Sequence, residues 1–491
     1  MLQHFQALNY VKPPNILIYE EGGDTFDRFK LLLSSLLKPN LYVIYKLSDK
    51  DLRTRTWHES TVLVVICKPP LGKESYSSLM HYFHSHRGKI WTASSSPWTS
   101  KLMKYFGDSA IGCENSAFVV QDPFFSSKNI ELSDFLRIKF NLQVQEADLE
   151  LPLSSEFGRD LLLMGKNLSH VNSFLSERIK DDQTLIQNSK NTITMKPSLN
   201  GNNIMIHIKT HDWTQNPVQS TTDFDCRKFY ELLKTKELGN LIIYGKEMRS
   251  TFDVTDNVQI KHGLFVIADR QTSGKGRGGN QWLSPKGCAM FTLQIHILLR
   301  SLLGSKLSII QHLIGVATVE GLRKLRKDVD VRLKWPNDIY YGSSLKLGGI
   351  LVNSSISGEV ATIDIGLGLN LDNDVPMISL NRILESHGLQ PISREEFFAE
   401  LLNSLEIIIE KVQSNDLNSV MNLYYQYWLH GAQNVQLMNS NTELKEKGII
   451  RHLDQYGFLI VETEKSYKIS VHPDGNSFDM VKGLIIPKSQ R

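Results

Sequence analysis

The 491-residue chain is poor in cysteine and has no long apolar segment. Its four cysteines are scattered along the sequence, at Cys67, Cys113, Cys226 and Cys288. Such spacing argues against both a disulfide scaffold and a zinc cluster, and it favours reduced thiols. The longest apolar runs are far shorter than the roughly 20 residues that a membrane-spanning helix needs.

The chain also lacks a strong charge of either sign. Lys and Arg number 55 and Asp and Glu number 52, so the net charge is +3. A balance so close to zero gives no general reason to expect binding to nucleic acid or to a membrane. The early acidic residues Glu20, Glu21 and Asp24 are unusual in a mitochondrial leader. We therefore expect a soluble cytoplasmic protein, with a mitochondrial isoform left open.

An apolar content of 41% and a charged content of 22% are typical of globular proteins. The length predicts about two to four domains. Short apolar runs at 15–19 and 61–66 predict buried parallel strands, and helical spacing at 26–37 and 75–86 predicts helices. This alternation indicates an open α/β domain over residues 1–130.

The rest of the chain changes character twice. Residues 131–235 are rich in polar side chains and predict a linker or irregular region, with a possible short strand at 203–208. Residues 236–430 mix strands with helices, including a long amphipathic helix at 394–412, and predict an α+β domain. Residues 431–491 contain short strands separated by turns, a pattern typical of a small β-barrel.

The segment 274–282 combines glycines with basic side chains, Lys275 and Arg277. Its four glycines are Gly274, Gly276, Gly278 and Gly279. Such glycines can expose successive backbone N–H groups to an anion, and arginine can grip a carboxylate or phosphate through two parallel hydrogen bonds. Alone, the segment could equally be a flexible basic surface loop. It lacks the Walker A pattern.

Three later segments supply further candidate groups. Asn337 and Asp338 close the Lys-Trp-Pro-Asn-Asp sequence at 334–338, in a turn that could hold a magnesium–phosphate group or orient an amine. Lys346 precedes a glycine pair, and could stabilise charge that develops on a phosphate. The sequence at 364–371 has glycines that would let a flat base approach the backbone. Each segment alone is weak, because turns, solvated lysines and paired glycines are common.

Together, in this order and spacing, the four segments resemble the biotin–protein ligase family, and in particular its eukaryotic holocarboxylase synthetase branch. The resemblance covers about 236–491. It implies a class II synthetase-like α+β catalytic domain and an SH3-like C-terminal barrel. The α/β segment resembles the class I glutamine-amidotransferase-like domain of the eukaryotic members. No cysteine stands at 93–97, after the strand predicted at 89–92, so this domain would lack a nucleophile and could select substrates instead.

The resemblance implies a two-step reaction. ATP with Mg²⁺ and biotin would be substrates, without a tightly bound cofactor or a certain metal-ligand set. They would form biotinoyl-5′-adenylate and pyrophosphate, and biotin would then pass to a lysine on the carrier domain of a biotin-dependent carboxylase. The expected acceptors are acetyl-CoA, propionyl-CoA, methylcrotonyl-CoA and pyruvate carboxylase. A lipoate–protein ligase and a non-catalytic regulatory or scaffold protein remain alternatives; no DNA-binding domain is recognised.

The resemblance also implies roles for individual residues. The predicted catalytic residues are Lys346, Arg277 and Asp338. The predicted biotin-binding residues are Ser250, Thr251, Gln271, Gly274, Lys275, Arg277, Lys346 and Gly349. The predicted adenylate-binding residues are Arg277, Gly278, Gly279, Asn280, Trp282, Asn337, Asp338, Lys346, Gly366, Gly368 and Asn370. Phe252 follows Ser250 and Thr251, where bacterial members of the family have asparagine.

Overall fold

A computed structural model of the chain describes residues 14–20, 25–38, 41–54, 57–58, 61–67, 73–92, 118–120, 129–144, 160–178, 184–187, 192–194, 205–210, 223–277, 280–373, 377–438, 445–473, 476–479 and 484–487. The chain divides into two compact units. The first is Met1–Ser155 with Val375–Met377, and the second is Glu156–Asp374 with Ile378–Arg491.

The first unit contains a five-stranded sheet with helices between its strands. The strands are β1 (Asn15–Tyr19), β2 (Val43–Leu47), β3 (Thr61–Ile66), β4 (Ile90–Thr92) and β5 (Phe118–Val120). The helices are α1 (Thr25–Leu36), α2 (Asp49–Thr54), α3 (Lys73–Ser85) and α4 (Asn129–Phe140). The strand order is β2-β1-β3-β4-β5 and every neighbouring pair is parallel, as the alternation in the sequence predicts.

Both faces of this sheet are buried. Ile16 and Ile18 belong to one apolar cluster, whereas Leu17 and Tyr19 belong to another on the opposite face. Helix α4 contributes Phe140 to the first cluster, so the unit continues beyond the boundary predicted at residue 130. Residues 93–97, on which the prediction of a missing nucleophile depends, lie outside the described residues.

The prediction of a linker at 131–235 is wrong for the parts that the structure describes. Beyond α4 they form β6 (Asp160–Gly165), α5 (Leu168–Arg178), β7 (Thr184–Gln187), β8 (Thr192–Thr194), β9 (Met205–Thr210) and α6 (Cys226–Leu232). β6 pairs in antiparallel register with β10 (Leu241–Met248). Leu161 and Leu163 are buried in a cluster that also contains Leu241 and Ile243. These short strands are stabilised by partners distant in sequence, which local polar composition does not reveal.

The second unit is built on one large mixed sheet. After β10 its strands are β11 (Leu264–Lys275), β12 (Gln281–Ser284), β13 (Ala289–Leu298), β14 (Val331–Lys334), β15 (Asp338–Tyr341), β16 (Leu345–Ser357) and β17 (Val360–Leu369). The order is β14-β15-β16-β17-β13-β11-β10-β6-β9-β8-β7, and β12 pairs with β11. The helices after α6 are α7 (Phe252–Thr255), α8 (Ile310–Leu325), α9 (Leu380–Ser386), α10 (Arg394–Gln413) and α11 (Leu417–Tyr427), with a 3-10 helix at Gly304–Ile309.

Alternation along β17 separates the core from the opposite face of the sheet. Ile365, Leu367 and Leu369 are buried in the main apolar cluster, which also contains residues of α8 and α10. Since successive side chains of a strand point to opposite faces, Gly366 and Gly368 lie on the other face. That face carries the candidate site.

Six strands follow the helices, at β18 (Asn434–Met438), β19 (Lys445–Leu453), β20 (Leu459–Thr463), β21 (Lys468–Val471), β22 (Asn476–Asp479) and β23 (Leu484–Pro487). They form one sheet in the order β21-β20-β19-β18-β23-β22, in agreement with the short strands predicted there. Val435, Ile450 and Val461 belong to the main apolar cluster, so this sheet shares its core with the helices. No described helix of the chain is long and apolar enough to cross a membrane.

Candidate functional site

The glycine-rich segment begins as a strand and continues as a tight connection. Gly274 is paired with Trp282 and Lys275 with Gln281 in the β11–β12 ladder. The backbone N–H of Gly276 donates to the carbonyl of Asn280 at 2.7 Å. A Cβ atom at Gly274 would lie 2.4 Å from the Trp282 carbonyl oxygen, so this close approach requires glycine. Gly278 and Gly279 lie outside the described residues.

A buried polar network joins the end of β10 to β11. Gln271 Oε1 accepts hydrogen bonds from the backbone N–H of Thr251 at 2.7 Å and from its hydroxyl at 3.1 Å. The Gln271 amide donates to Ser284 Oγ at 2.9 Å, and Thr292 donates to Thr251 at 2.8 Å. All four side chains are buried. The structure thus brings together two of the residues predicted to bind biotin, Thr251 and Gln271.

Ser250 and Phe252 stand on either side of Thr251 and differ in character. The Ser250 side chain is buried, and its hydroxyl has no hydrogen-bond partner among the described residues. A buried hydroxyl without a partner is costly, and a polar group of a ligand would satisfy it. Phe252 packs on the sheet where a Cβ atom at Gly366 would lie 2.1 Å from its ring. Polar and apolar surfaces therefore meet around Thr251, as a ligand with both kinds of surface requires.

Two lysines face one carboxylate on the neighbouring strands β14, β15 and β16. Lys346 Nζ lies 2.6 Å from Asp338 Oδ1, and Lys334 Nζ lies 3.7 Å from Asp338 Oδ2. These side chains are mostly buried. Two ammonium groups around one carboxylate leave a net charge of +1, which attracts an anion most strongly where water is largely excluded.

Trp282 connects the glycine-rich hairpin to this charged group. The Lys346 ammonium lies 5.8 Å from the centre of the indole ring. A Cβ atom at Gly368 would lie 2.3 Å from Trp282 Nε1, so the indole ring packs directly against the backbone of β17, where glycine has no side chain. Gly349 pairs with Asp338 in the β15–β16 ladder. The four sequence segments therefore converge on one face of the sheet.

Asn337 and Asn370 differ in how they are held. The Asn337 amide donates to the Ile350 carbonyl at 2.7 Å, and the Ile350 N–H donates to the Asn337 carbonyl at 2.8 Å. Asn337 thus fastens its turn to β16. Asn370 is buried, and its amide nitrogen has no hydrogen-bond partner in the described part of the chain. Asn370 is the better placed of the two to meet a ligand.

Lys275 and Arg277 lie in different surroundings. Lys275 Nζ is 2.6 Å from Asp253 Oδ1 and is thereby held by α7 rather than by Asp338. Arg277 is half-buried, and its carbonyl accepts the Asn280 N–H at 3.5 Å. The described geometry therefore brings Lys346 and Asp338 into direct contact but pairs Lys275 with a separate carboxylate.

Comparison with known proteins places this arrangement in a family. The model of the biotin/lipoate A/B protein ligase family matches residues 244–370, which include the first three segments and the fourth as far as Asn370. Biotin–protein ligase 2 of Arabidopsis thaliana is 31% identical over 277 residues, which are 54% of this chain and 82% of the plant protein. The chain belongs to the biotin–protein ligase family.

Two further relatives give the extent of the likeness to biotin–protein ligases. The human biotin–protein ligase is 42% identical over 281 residues, which are 55% of this chain and 38% of the human protein. The solved biotin protein ligase of Aquifex aeolicus, in complex with biotin and ATP, is 22% identical, with a TM-score of 0.39. That match covers 48% of this chain and 96% of the bacterial one.

Four residues that contact the predicted site were absent from the prediction. Lys334 stands in the Lys-Trp-Pro-Asn-Asp sequence typical of biotin–protein ligases, and its spacing of four from Asp338 was a usable signal. Asp253 lies two residues after Thr251. Thr292 and Ser284 have no local signal, because they reach Thr251 and Gln271 only through strand register.

Proposed function

We propose that the chain is an ATP-dependent biotin–protein ligase. It would join biotin and magnesium-bound ATP to biotinoyl-5′-adenylate, release pyrophosphate, and transfer the biotinoyl group to a lysine of an acceptor protein. The observation that carries the proposal is the Lys346–Asp338–Lys334 group beside Trp282, on a sheet that also bears the buried Gln271 network. Family membership supplies the class of reaction.

In the first step a carboxylate must approach the α-phosphate of ATP. Lys346 and Lys334 offset the repulsion between these two anions, because their combined charge exceeds that of Asp338. Lys346 spans 2.6 Å to Asp338 without a ligand, so it is held near its working position. Arg277 would add a second cationic group from the hairpin, where a guanidinium can hold the phosphate through two hydrogen bonds.

Biotin has an apolar bicycle with a polar ureido edge. The unpartnered Ser250 hydroxyl would meet that edge, with Thr251 and Gln271 as neighbouring donors and acceptors. Phe252 and the bare backbone at Gly366 provide the apolar surface for the bicycle. By family resemblance, Gly274, Lys275 and Gly349 would lie along the remaining length of biotin.

The adenylate needs flat surfaces and exclusion of water. Trp282 and the glycines of β17 offer a flat surface. Asn370 offers an amide nitrogen that has no hydrogen-bond partner among the described residues. By family resemblance Gly278, Gly279 and Asn280 would supply further contacts, together with Asn337 in the turn between β14 and β15. A closed hairpin would protect the mixed anhydride from hydrolysis.

In the second step a neutral amine must attack the activated carbonyl. Asp338 is the carboxylate nearest to Lys346, so it would orient the incoming amine or accept its proton. Release of Lys346 from Asp338 when the anionic substrate binds would free this carboxylate for that task. The pair thereby links the charge needed in step one with the base needed in step two.

The expected acceptors are carrier domains of acetyl-CoA, propionyl-CoA, methylcrotonyl-CoA and pyruvate carboxylase. For the first unit we propose a glutamine-amidotransferase-like fold with a substrate-selecting role, supported by its parallel sheet. For the C-terminal sheet we propose an SH3-like barrel, supported by its six short strands. A cytoplasmic location remains part of the proposal.

Purified full-length chain tests this function through biotin-dependent exchange of labelled pyrophosphate into ATP, followed by mass analysis of an apo-carrier domain. We expect exchange with biotin and a mass increase on one carrier lysine, and neither product with lipoate. Lys346→Ala should abolish exchange, whereas Lys411→Ala, which changes an exposed lysine of α10, should not. Exchange with lipoate alone would indicate a lipoate ligase, and no exchange with either acid would refute the proposal.

A further inference from the structure

The turn between β19 and β20, residues 454–458, reaches from the C-terminal sheet to the catalytic one. Within it, the Gly457 carbonyl oxygen accepts two hydrogen bonds, one from Trp335 Nε1 and one from His312 Nε2, both at 3.1 Å. Trp335 is 1% exposed, and it lies three residues before Asp338. A single carbonyl of this turn thus fixes the indole in the turn between β14 and β15, which leads to the proposed catalytic carboxylate at the start of β15.

The turn has the shape that this contact requires. Gly457 has a φ of +78°, which favours glycine. A Cβ atom there would lie 2.4 Å from His312 Nε2, so no larger residue fits without displacing the ring. Asp454 Oδ1 accepts the backbone N–H groups of Tyr456 and Phe458, each at 2.9 Å. These bonds hold the turn in the conformation that directs the Gly457 carbonyl toward Trp335.

His312 is a fixed neutral donor in this arrangement. Because a carbonyl can only accept, Nε2 must carry the hydrogen. Burial, together with the nearby charge of Arg277, lowers the pKa of His312 to about 4 although the hydrogen bond to the Gly457 carbonyl opposes this shift, so the ring stays neutral at ordinary pH. The His312 ring also packs edge-on against Tyr424 of α11 at 5.0 Å.

We propose that Gly457, through Trp335, is a positioning group for the reacting end of the site. It holds the turn on which Lys334 and Asp338 stand, and so maintains the distance from Asp338 to Lys346. Neither Gly457 nor His312 touches the reacting atoms. This inference rests on the proposed ligase function, and it assigns the C-terminal sheet a part in catalysis through these two hydrogen bonds.

The first test is Trp335→Phe, which keeps a buried aromatic ring and removes the N–H donor together with part of the indole volume. We expect kcat for biotin-dependent pyrophosphate exchange to fall about tenfold, since small displacements of reacting groups are costly. The KM for biotin should stay within about twofold, because the Ser250 and Gln271 pocket stands on other strands. The matched control is Ser308→Ala, which removes another hydrogen bond to this turn, donated to the Tyr456 carbonyl at 2.8 Å. Its kcat should be unchanged.

A second pair of variants separates positioning from folding. His312→Leu removes the second donor and should lower kcat, whereas His312→Gln restores an N–H donor and should recover most of it. Unfolding temperatures are measured for all variants. Wild-type kcat in both Trp335→Phe and His312→Leu overturns the inference, as does an equal loss in Ser308→Ala. A wild-type chain without biotin-dependent exchange instead overturns the proposed function, before any variant is compared.

Discussion

Asp364 offers a test of the electrostatics of the sheet that supports the site. Its side chain is buried on β17, two residues before Gly366, and accepts a hydrogen bond from the Gln294 amide at 2.9 Å. Burial raises the pKa of Asp364 from 3.8 to about 6, and the Asp256 charge raises it as well, although the bond from Gln294 opposes them. The charged form is therefore destabilised in the folded state.

The sign and size of the effect follow from linkage. Because the folded pKa lies above the unfolded one, the folded state binds more protons between pH 6 and pH 4, and this group adds stability as the pH falls through that window. Each pH unit between the two pKa values is worth about 1.4 kcal/mol. The buried charge therefore costs at most about 3 kcal/mol of unfolding free energy at pH 8.

Asp364→Asn removes the charge and keeps an oxygen that can accept the bond from Gln294. We expect the variant to be more stable than wild type by about 1 to 3 kcal/mol at pH 8 and equal to it below about pH 4. Urea unfolding at several pH values measures the difference, with Asp328→Asn as a control at an exposed carboxylate. A constant difference at all pH values, or a less stable variant at pH 8, would refute the reasoning.

Three further predictions concern Arg277, the contact between Gly368 and Trp282, and the division between the two units. The Arg277→Gly variant should release the adenylate, which would then acylate lysines of bystander proteins non-selectively, as measured by their biotin content. Tight retention of the intermediate would contradict the role of Arg277. Gly368→Ala should displace Trp282 and raise the KM for ATP at least tenfold, because its Cβ would lie 2.3 Å from Trp282 Nε1; an unchanged KM would contradict this. Deletion of residues 1–155 should leave pyrophosphate exchange intact but alter the order of rates on different acceptor proteins, whereas deletion of residues 1–230 should abolish soluble expression. Unchanged rates on every acceptor after the first deletion would refute the substrate-selecting role of the first unit.

The reason for the difference between the two deletions lies in β6. This strand is hydrogen-bonded along the side of β10, so a cut at residue 230 removes β6 through β9 and leaves a long apolar strand edge open to other chains. A cut at residue 155 follows the division between the two units. The region that composition predicts as a linker therefore determines where the chain can be divided.

Residues whose chemistry depends on short sequence motifs were predictable. Lys346 and Asp338 were proposed from separate segments, and the structure brings them to 2.6 Å. The strands predicted at 15–19 and 61–66 are β1 and β3, and the long helix predicted at 394–412 is α10. In each case the spacing of apolar residues indicated whether the element is a strand or a helix.

Residues whose position depends on pairing across the sheet were not predictable. Thr292 reaches Thr251 because β13 lies beside both β11 and β17, and no local pattern encodes that order. Asn337 stays a predicted adenylate-binding residue, but the motif alone did not indicate that its amide donates a hydrogen bond to the Ile350 carbonyl. Strand register and side-chain direction arise from the whole fold, so a motif identifies such residues without giving their contacts.

The shared core of the helices and the C-terminal sheet has a consequence for synthesis of the protein. Val435, Ile450 and Val461 are buried in the same cluster as Leu313 and Trp335, so the sheet that carries the candidate site completes its packing only after the strands β18 to β20 have been synthesised. A chain that stops early would expose this apolar surface to chaperones and proteases. Nonsense and frameshift alleles that remove these strands should therefore act as complete losses, through low abundance rather than through an altered site.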